Sequence, residues 1–193
     1  IQNMKFLEPA QIQAALTTYM QDGIVKGFDS EIPASSGIVV LGNIEAEKFN
    51  TQVNMVDAIN PIFRKAETLD RIHGFIPGWK IPKFHQNLVA KGWALNTEYF
   101  AEVLHSLRDE LHYSTLVDSC IAVPPKAYKR DLDAIVRLCT GFVKLLFPHA
   151  KTKDDIPRDE FIKYCLEPAK EMRQVIRSQL HVIAPKEYTN PDV

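Results

Sequence analysis

The sequence predicts an α-rich α/β fold, and three features carry that prediction. Residues 37–41 form a near-continuous apolar run that ends at Gly42 and Asn43, the pattern of a strand buried on both faces of a sheet. A short hairpin pattern lies just ahead of it, and from residue 85 onward the spacing of apolar residues is helical. The expected organisation is a strand-bearing part over residues 1–84 (one central strand, a hairpin and a short strand), followed by a helical subdomain over residues 85–193.

In chain order, residues 9–22 read as a helix. Pro9 suits the first helical position, and Ile12, Ala15, Leu16, Tyr19 and Met20 form one apolar stripe. Gly23 is a natural stop. Residues 23–34 read as a hairpin, with Gly27 and Asp29 near the turn and Pro33 limiting pairing beyond it. The apolar strand follows. Residues 48–72 are polar and then helical, and residues 73–84, rich in Gly, Pro and aromatics, suggest a short strand running into a loop.

The helical part begins with Asn96, a suitable N-cap. The helix after it carries Tyr99, Phe100, Val103, Leu104, Leu107 and Leu111 on one face. Residues 123–131 break the chain, and a strongly apolar helix follows over 131–147, closed by Pro148. Residues 151–157 form a charged linker. The last helix carries Pro168, which is expected to kink or divide it.

Composition narrows the function classes. A net charge of −1 supplies no global attraction for nucleic acid or membrane, so such a partner would need a local patch. Three cysteines, widely spaced and odd in number, argue against a disulfide framework and for a reducing cytoplasmic setting. No apolar run approaches the roughly 18 residues of a spanning helix. The chain begins at Ile1 rather than Met, which suggests part of a longer protein.

Several catalytic signatures are absent. There is no G-x-x-x-x-G-K-[ST] phosphate loop, no G-x-S-x-G and no H-E-x-x-H. Glu102 and His105 have the i, i+3 spacing of di-metal bundles, but a single copy reads first as a solvated helix face.

Three stretches in order are more informative: GIVVLGNIEAE, LDRIHGFIPGW and KRDLDAIVRLC. Together with WALNTEYFAEVLHSLRDE and RLCTGFVKLLFPH they resemble the second half of an AAA+ ATPase module. The similarity is greatest to the Lon-related AAA+ proteins of bacterial BREX phage-defence systems, the BrxL family. The ATPase modules of Lon proteases and MCM helicases are more weakly similar.

The resemblance implies a partial AAA+ core over 1–84 with a helical lid subdomain over 85–193. It also implies an ATP-hydrolysing parent that uses Mg²⁺ and assembles as a homo-oligomeric ring, with DNA as a candidate substrate and no membrane. Asn43 would be the sensor-1 residue, orienting the attacking water or touching the γ-phosphate. By residue type alone it is a cap or turn-former after Gly42. Arg71 would be an arginine finger reaching a neighbour's ATP, a task suited to a fixed, always-charged fork. The alternative is a salt bridge with Asp70 or a nearby acid. Arg130 would be the sensor-2 arginine of the lid; the alternatives are a solvated basic pair with Lys129, or Arg137 two turns on.

The resemblance also implies that the phosphate loop and the Mg²⁺-binding acidic pair would precede Ile1. The isolated chain is then expected to be inactive and to need no cofactor of its own. The hairpin carries one basic residue, Lys26, with which a pore hairpin could grip DNA. Two other readings remain open: a non-enzymatic α-rich interaction module, or the ATPase segment of a Lon-type protease, although no stretch resembles a serine–lysine dyad.

Overall fold

Helix α1, Pro9–Asp22, forms over the expected residues and stops where Gly23 takes φ 65°, a left-handed conformation that a residue without Cβ adopts freely. The structure, a computed structural model, describes residues 9–26, 30–34, 36–43 and 54–193. These divide into two compact units, residues 1–72 with 175–192, and residues 73–174 with Val193.

In the first unit, α1 leads into strand β1, Ile24–Lys26, which pairs antiparallel with β2, Glu31–Pro33, in the register Ile24↔Pro33, Val25↔Ile32, Lys26↔Glu31. Pro33 ends the strand, as its missing N–H requires. One further bond, Ala34 N–H to Gly23 O at 2.7 Å, closes the base of the hairpin.

The expected central strand is not formed. Residues 36–43 make no ladder, and Val39 and Leu41 are 86% and 93% exposed. A strand buried on both faces needs a neighbour on each side. Among the described residues the only strands are β1 and β2, which pair with each other. Past residues 44–53, which lie outside the described residues, two 3₁₀ turns, Met55–Ala58 and Pro61–Phe63, lead to the one-turn helix α2, Ala66–Leu69. Met55, Val56, Thr68 and Leu69 are buried, as are Ile176, Gln179 and Leu180. Gln179 Oε1 accepts the Met55 N–H at 2.7 Å, and Gln13 Nε2 donates to Thr68 Oγ1 at 3.1 Å.

The second unit is helical. Residues 73–84 hold a 3₁₀ turn, Gly78–Lys80, rather than the expected short strand. The Phe75 N–H donates to the Met172 carbonyl at 3.0 Å, so this backbone is satisfied by a helix and not by a sheet. Asn96 caps α3, Thr97–Ser106, as expected, its side chain accepting from the Glu98 and Tyr99 N–H groups at 3.1 Å each.

That helix does not run on unbroken to Leu111 as expected. It breaks at Leu107, and a separate α4, His112–Cys120, begins after the turn. The local sequence carries no stop signal. Packing imposes the break: Tyr113, Leu116 and Val117 of α4 are buried in the core, and Lys144 Nζ donates to the Arg108 carbonyl that the turn frees, at 2.7 Å. Of the expected stripe, Tyr99 and Leu111 are 70% and 80% exposed.

Helix α5, Lys129–Leu146, is the centre of the unit, burying Asp131, Ala134, Ile135, Cys139 and Val143 at i, i+3, i+4 spacing. The linker forms a 3₁₀ turn, Lys153–Asp155, closed by a reciprocal Thr152–Asp155 capping box. The last helix is α6, Arg158–Phe161, then a π-helical turn, Ile162–Leu166, then α7, Glu167–Ile183. Pro168 has no N–H to give and its ring crowds the preceding turn. The helix widens just before it, with the Glu167 N–H bonding back to Ile162 O.

Candidate functional site

The three candidate residues stand on three different local supports. Asn43 ends the exposed stretch 36–43 and is itself exposed. A Cβ at Gly42 would lie 3.4 Å from Ile59 Cγ2, so a small residue lets the chain run close against the turn that follows Met55–Ala58.

Arg71 sits one residue beyond the C-cap of α2, a helix whose Thr68 and Leu69 anchor it in the core of the first unit. Its side chain is only 12% exposed, and one guanidinium nitrogen lies 3.7 Å from Glu67 Oε1. Nε is buried with no hydrogen-bond partner. An i, i+4 pair with a carboxylate that is 66% exposed is worth only about 0.3–0.5 kcal/mol. The guanidinium is thus drawn in beside a weak partner and left with an orphaned donor. Asn43 and Arg71 belong to the same unit, but Arg71 pairs with Glu67 and not with Asn43.

Arg130 is the second residue of α5 and is exposed at its N-terminal end. It is flanked by pairs of opposite character. Lys129 Nζ meets Asp133 Oδ1 at 3.1 Å on the surface. Asp131 points inward, accepting from Arg173 Nε at 2.6 Å, and the Arg173 and Asp131 side chains are 0% and 6% exposed. Two turns further along α5, Arg137 contacts His73 Nε2 at 3.3 Å. Burial lowers the His73 pKa from its ordinary 6.5, and the Arg137 and Arg173 charges lower it further. At neutral pH the ring is therefore uncharged and accepts from the guanidinium. Arg130 is thus an exposed residue of the first turn of α5, and Arg137 contacts His73.

Gly74 follows His73 and lies against the unit's helices: a Cβ there would fall 2.9 Å from Met172 Cβ and 3.1 Å from Leu138 Cδ1. The sequence stretch LDRIHGF therefore holds Arg71 with Glu67 in one unit and a docked His73-Gly74-Phe75 in the other. Sequence reasoning missed the Asp131–Arg173 pair and the His73–Arg137 contact. The only local trace of the first is an acid in the first turn of an apolar helix, at a position on its buried stripe.

Glu102 and His105 are both exposed on α3. Among the described residues no three His, Cys, Asp or Glu side chains come together in a way that could hold a metal ion. Nor does any described helix have the length and apolarity to cross a membrane.

The whole chain, residues 1–193, matches the sequence model of a family described as Lon-like protease BrxL-like, ATPase domain. This chain belongs to that family. It is 28% identical over 174 residues to a Lon-like protease BrxL of Escherichia coli O9:H4 (strain HS), covering 88% of this chain and 24% of that protein. It is 27% identical over 179 residues to the Lon-like protease BrxL of Bacillus cereus (strain H3081.97), covering 88% of this chain and 25% of that relative. The chain thus spans about a quarter of the length of the curated relatives it matches.

Proposed function

We propose that this BrxL-like ATPase domain supplies the sensor and arginine-finger residues of an ATP-hydrolysing ring of the BREX type. What carries the reading is the match of all 193 residues to an ATPase-domain family. In this reading Asn43 orients the attacking water at the subunit's own nucleotide, Arg130 contacts that nucleotide from the lid, and Arg71 serves the neighbouring subunit's nucleotide. ATP, when bound, supplies the transferable γ-phosphoryl group and its negative charge.

The residues present suit that charge. Arg71 carries a buried, unpartnered Nε and only a weak pair with Glu67, so little holds the guanidinium back from a better acceptor. Arg130 is exposed at the N-terminal end of an 18-residue helix, where the helix dipole adds to its own charge. For Mg²⁺ the described residues offer no donor cluster, so none of them is assigned to the metal.

The exposed apolar stretch around Val39 and Leu41 also fits the proposal. Such a run finds its partners when further strands of a larger parent flank it, completing an AAA+ core over residues 1–84 beneath a lid over 85–193. The ring, and DNA as the substrate gripped by the hairpin, belong to the same proposal. The relatives' name contains protease, yet no stretch of this chain resembles a serine–lysine dyad, and proteolysis is not proposed for these residues.

One observation favours an interaction module instead: Phe84 and Trp93 are 76% and 106% exposed in the long connection before α3, as a partner-binding segment would have them. The test is Arg71→Ala in the full-length parent. Removing a finger is expected to lower ATP turnover by about 10³- to 10⁵-fold with nucleotide affinity nearly unchanged. Unchanged turnover, or lost nucleotide binding, overturns the finger assignment. If the parent has no ATPase activity at all, the interaction module becomes the better reading.

A further inference from the structure

We infer that Arg173 is a positioning residue for the exposed end of α5, acting through Asp131 on Arg130; the inference rests on the sensor-2 reading of Arg130. The two ionic groups come from α7 and α5, 42 residues apart, and meet at 2.6 Å with almost no solvent on either. Asp131 adjoins Arg130 in the first turn of α5, so the carboxylate that faces inward and the guanidinium that faces outward share one peptide unit.

A buried ion pair is a poor device for stability, since apolar side chains of similar volume often serve as well. What it supplies is geometry. A charge-assisted bond between desolvated partners has one low-energy arrangement, and departing from it leaves a buried charge uncompensated. The neighbouring Lys129–Asp133 pair cannot do this, because its side chains are 85% and 51% exposed. The azimuth and height of the first turn of α5 are therefore set from inside, by Arg173. Arg130 inherits them, and for a group that must meet a phosphate oxygen a misplacement of about 1 Å can cost about 100-fold. After burial and the Arg137 charge, the Arg173 charge also helps to lower the His73 pKa.

The experiment measures ATP affinity of the full-length parent with a fluorescent ATP analogue. The variants are Arg130→Ala, Arg173→Lys, Asp131→Glu, and each of the last two combined with Arg130→Ala. Arg173→Lys and Asp131→Glu keep both charges but shift the contact, and each is expected to weaken binding about tenfold, since the misplacement is partial. In the Arg130→Ala background neither should weaken it further by more than about twofold, because the effect travels only through Arg130. A merely structural pair would instead lower affinity equally in both backgrounds.

The double variant Asp131→Leu/Arg173→Met removes the pair without leaving a lone buried charge. It is expected to melt near the parent and still bind ATP about tenfold more weakly, which covers the case where Arg173→Lys does not fold. If Arg130→Ala weakens binding while Arg173→Lys and the apolar pair leave it unchanged, or if the losses multiply, the positioning role is overturned and the sensor-2 reading stands. If Arg130→Ala itself has no effect, the sensor-2 reading falls, and this inference falls with it.

Discussion

Gly74 offers the sharpest test of how the segment after Arg71 is held. Replacing it by Ala puts a Cβ 2.9 Å from Met172 Cβ, 3.1 Å from Leu138 Cδ1 and 3.2 Å from Met172 Cε. Carbon atoms are comfortable at about 3.5 Å or more, so the first contact is too close by roughly 0.6 Å. Leu138 Cδ1 and Met172 Cε can rotate away, but Met172 Cβ cannot leave its helix. The Phe75 N–H to Met172 O bond, at 3.0 Å, ties the two backbones together at that level. Overpacking of this kind costs about 1–3 kcal/mol, offset by about 0.4–1 kcal/mol from the stiffer unfolded chain.

The net loss is then about 1–2 kcal/mol, or a Tm lower by roughly 2–8 °C for a chain of this size. Thermal melts followed by circular dichroism measure it directly. Gly92→Ala is the control: nothing lies within 4 Å of a Cβ there, and it should melt at or slightly above the parent. Adding Met172→Ala to Gly74→Ala should not restore the Tm, because the Cβ that clashes remains. If Gly74→Ala melts with the Gly92 control, the close approach and the docking built on it are wrong.

Two further outcomes follow from the same unit. Burial, then the Arg137 and Arg173 charges, depress the His73 pKa below 6.5 in the folded protein, so the unfolded chain takes up that proton first as pH falls. His73 should thus cost no stability above about pH 6.5 and an increasing amount as the pH drops towards its folded value. His73→Gln should flatten that part of a plot of urea midpoint against pH, and parallel curves for the two proteins would count against it. Burial also pushes the thiols of Cys139 and Cys165 up to about 12 and about 11, each helped by a neighbouring cysteine. Brief alkylation of the native protein near pH 8 should therefore mark the half-buried Cys120, as peptide mass mapping would show. Fast labelling of Cys139 would mean that the core around α5 opens.

The elements that short-range chemistry controls were legible in the residues. A proline at the start and a glycine at the stop bound α1, Pro33 ends the hairpin, and Asn96 caps α3 with its own side chain. The apolar stripe of α5 faces the core as its periodicity requires. The candidate site was legible only in part. Asn43, Arg71 and Arg130 stand out through likeness to an ATPase family, and that family is the one the chain belongs to. The pairing of Arg71 with a nearby acid was one of the two readings its sequence allowed, and the acid is Glu67 rather than Asp70; nothing in the stretch LDRIHG signals that His73 would meet Arg137.

Where helices can begin and end is written in the local residues, because caps, turns and stripes act over one or two turns of chain. Longer-range packing set the rest. Residues 37–41 have the composition of a buried strand, but a strand exists by virtue of its neighbours, and among the described residues none pairs with it. The helix expected to run unbroken from Asn96 divides at Leu107 because burying Tyr113 and Val117 outweighs one turn of continuous hydrogen bonding. Asp131 and Arg173, 42 residues apart and each unremarkable in its own stretch, become a pair because α5 and α7 present them to the same dry interior. Pairing across that distance is set by packing, and packing is a property of the folded chain as a whole.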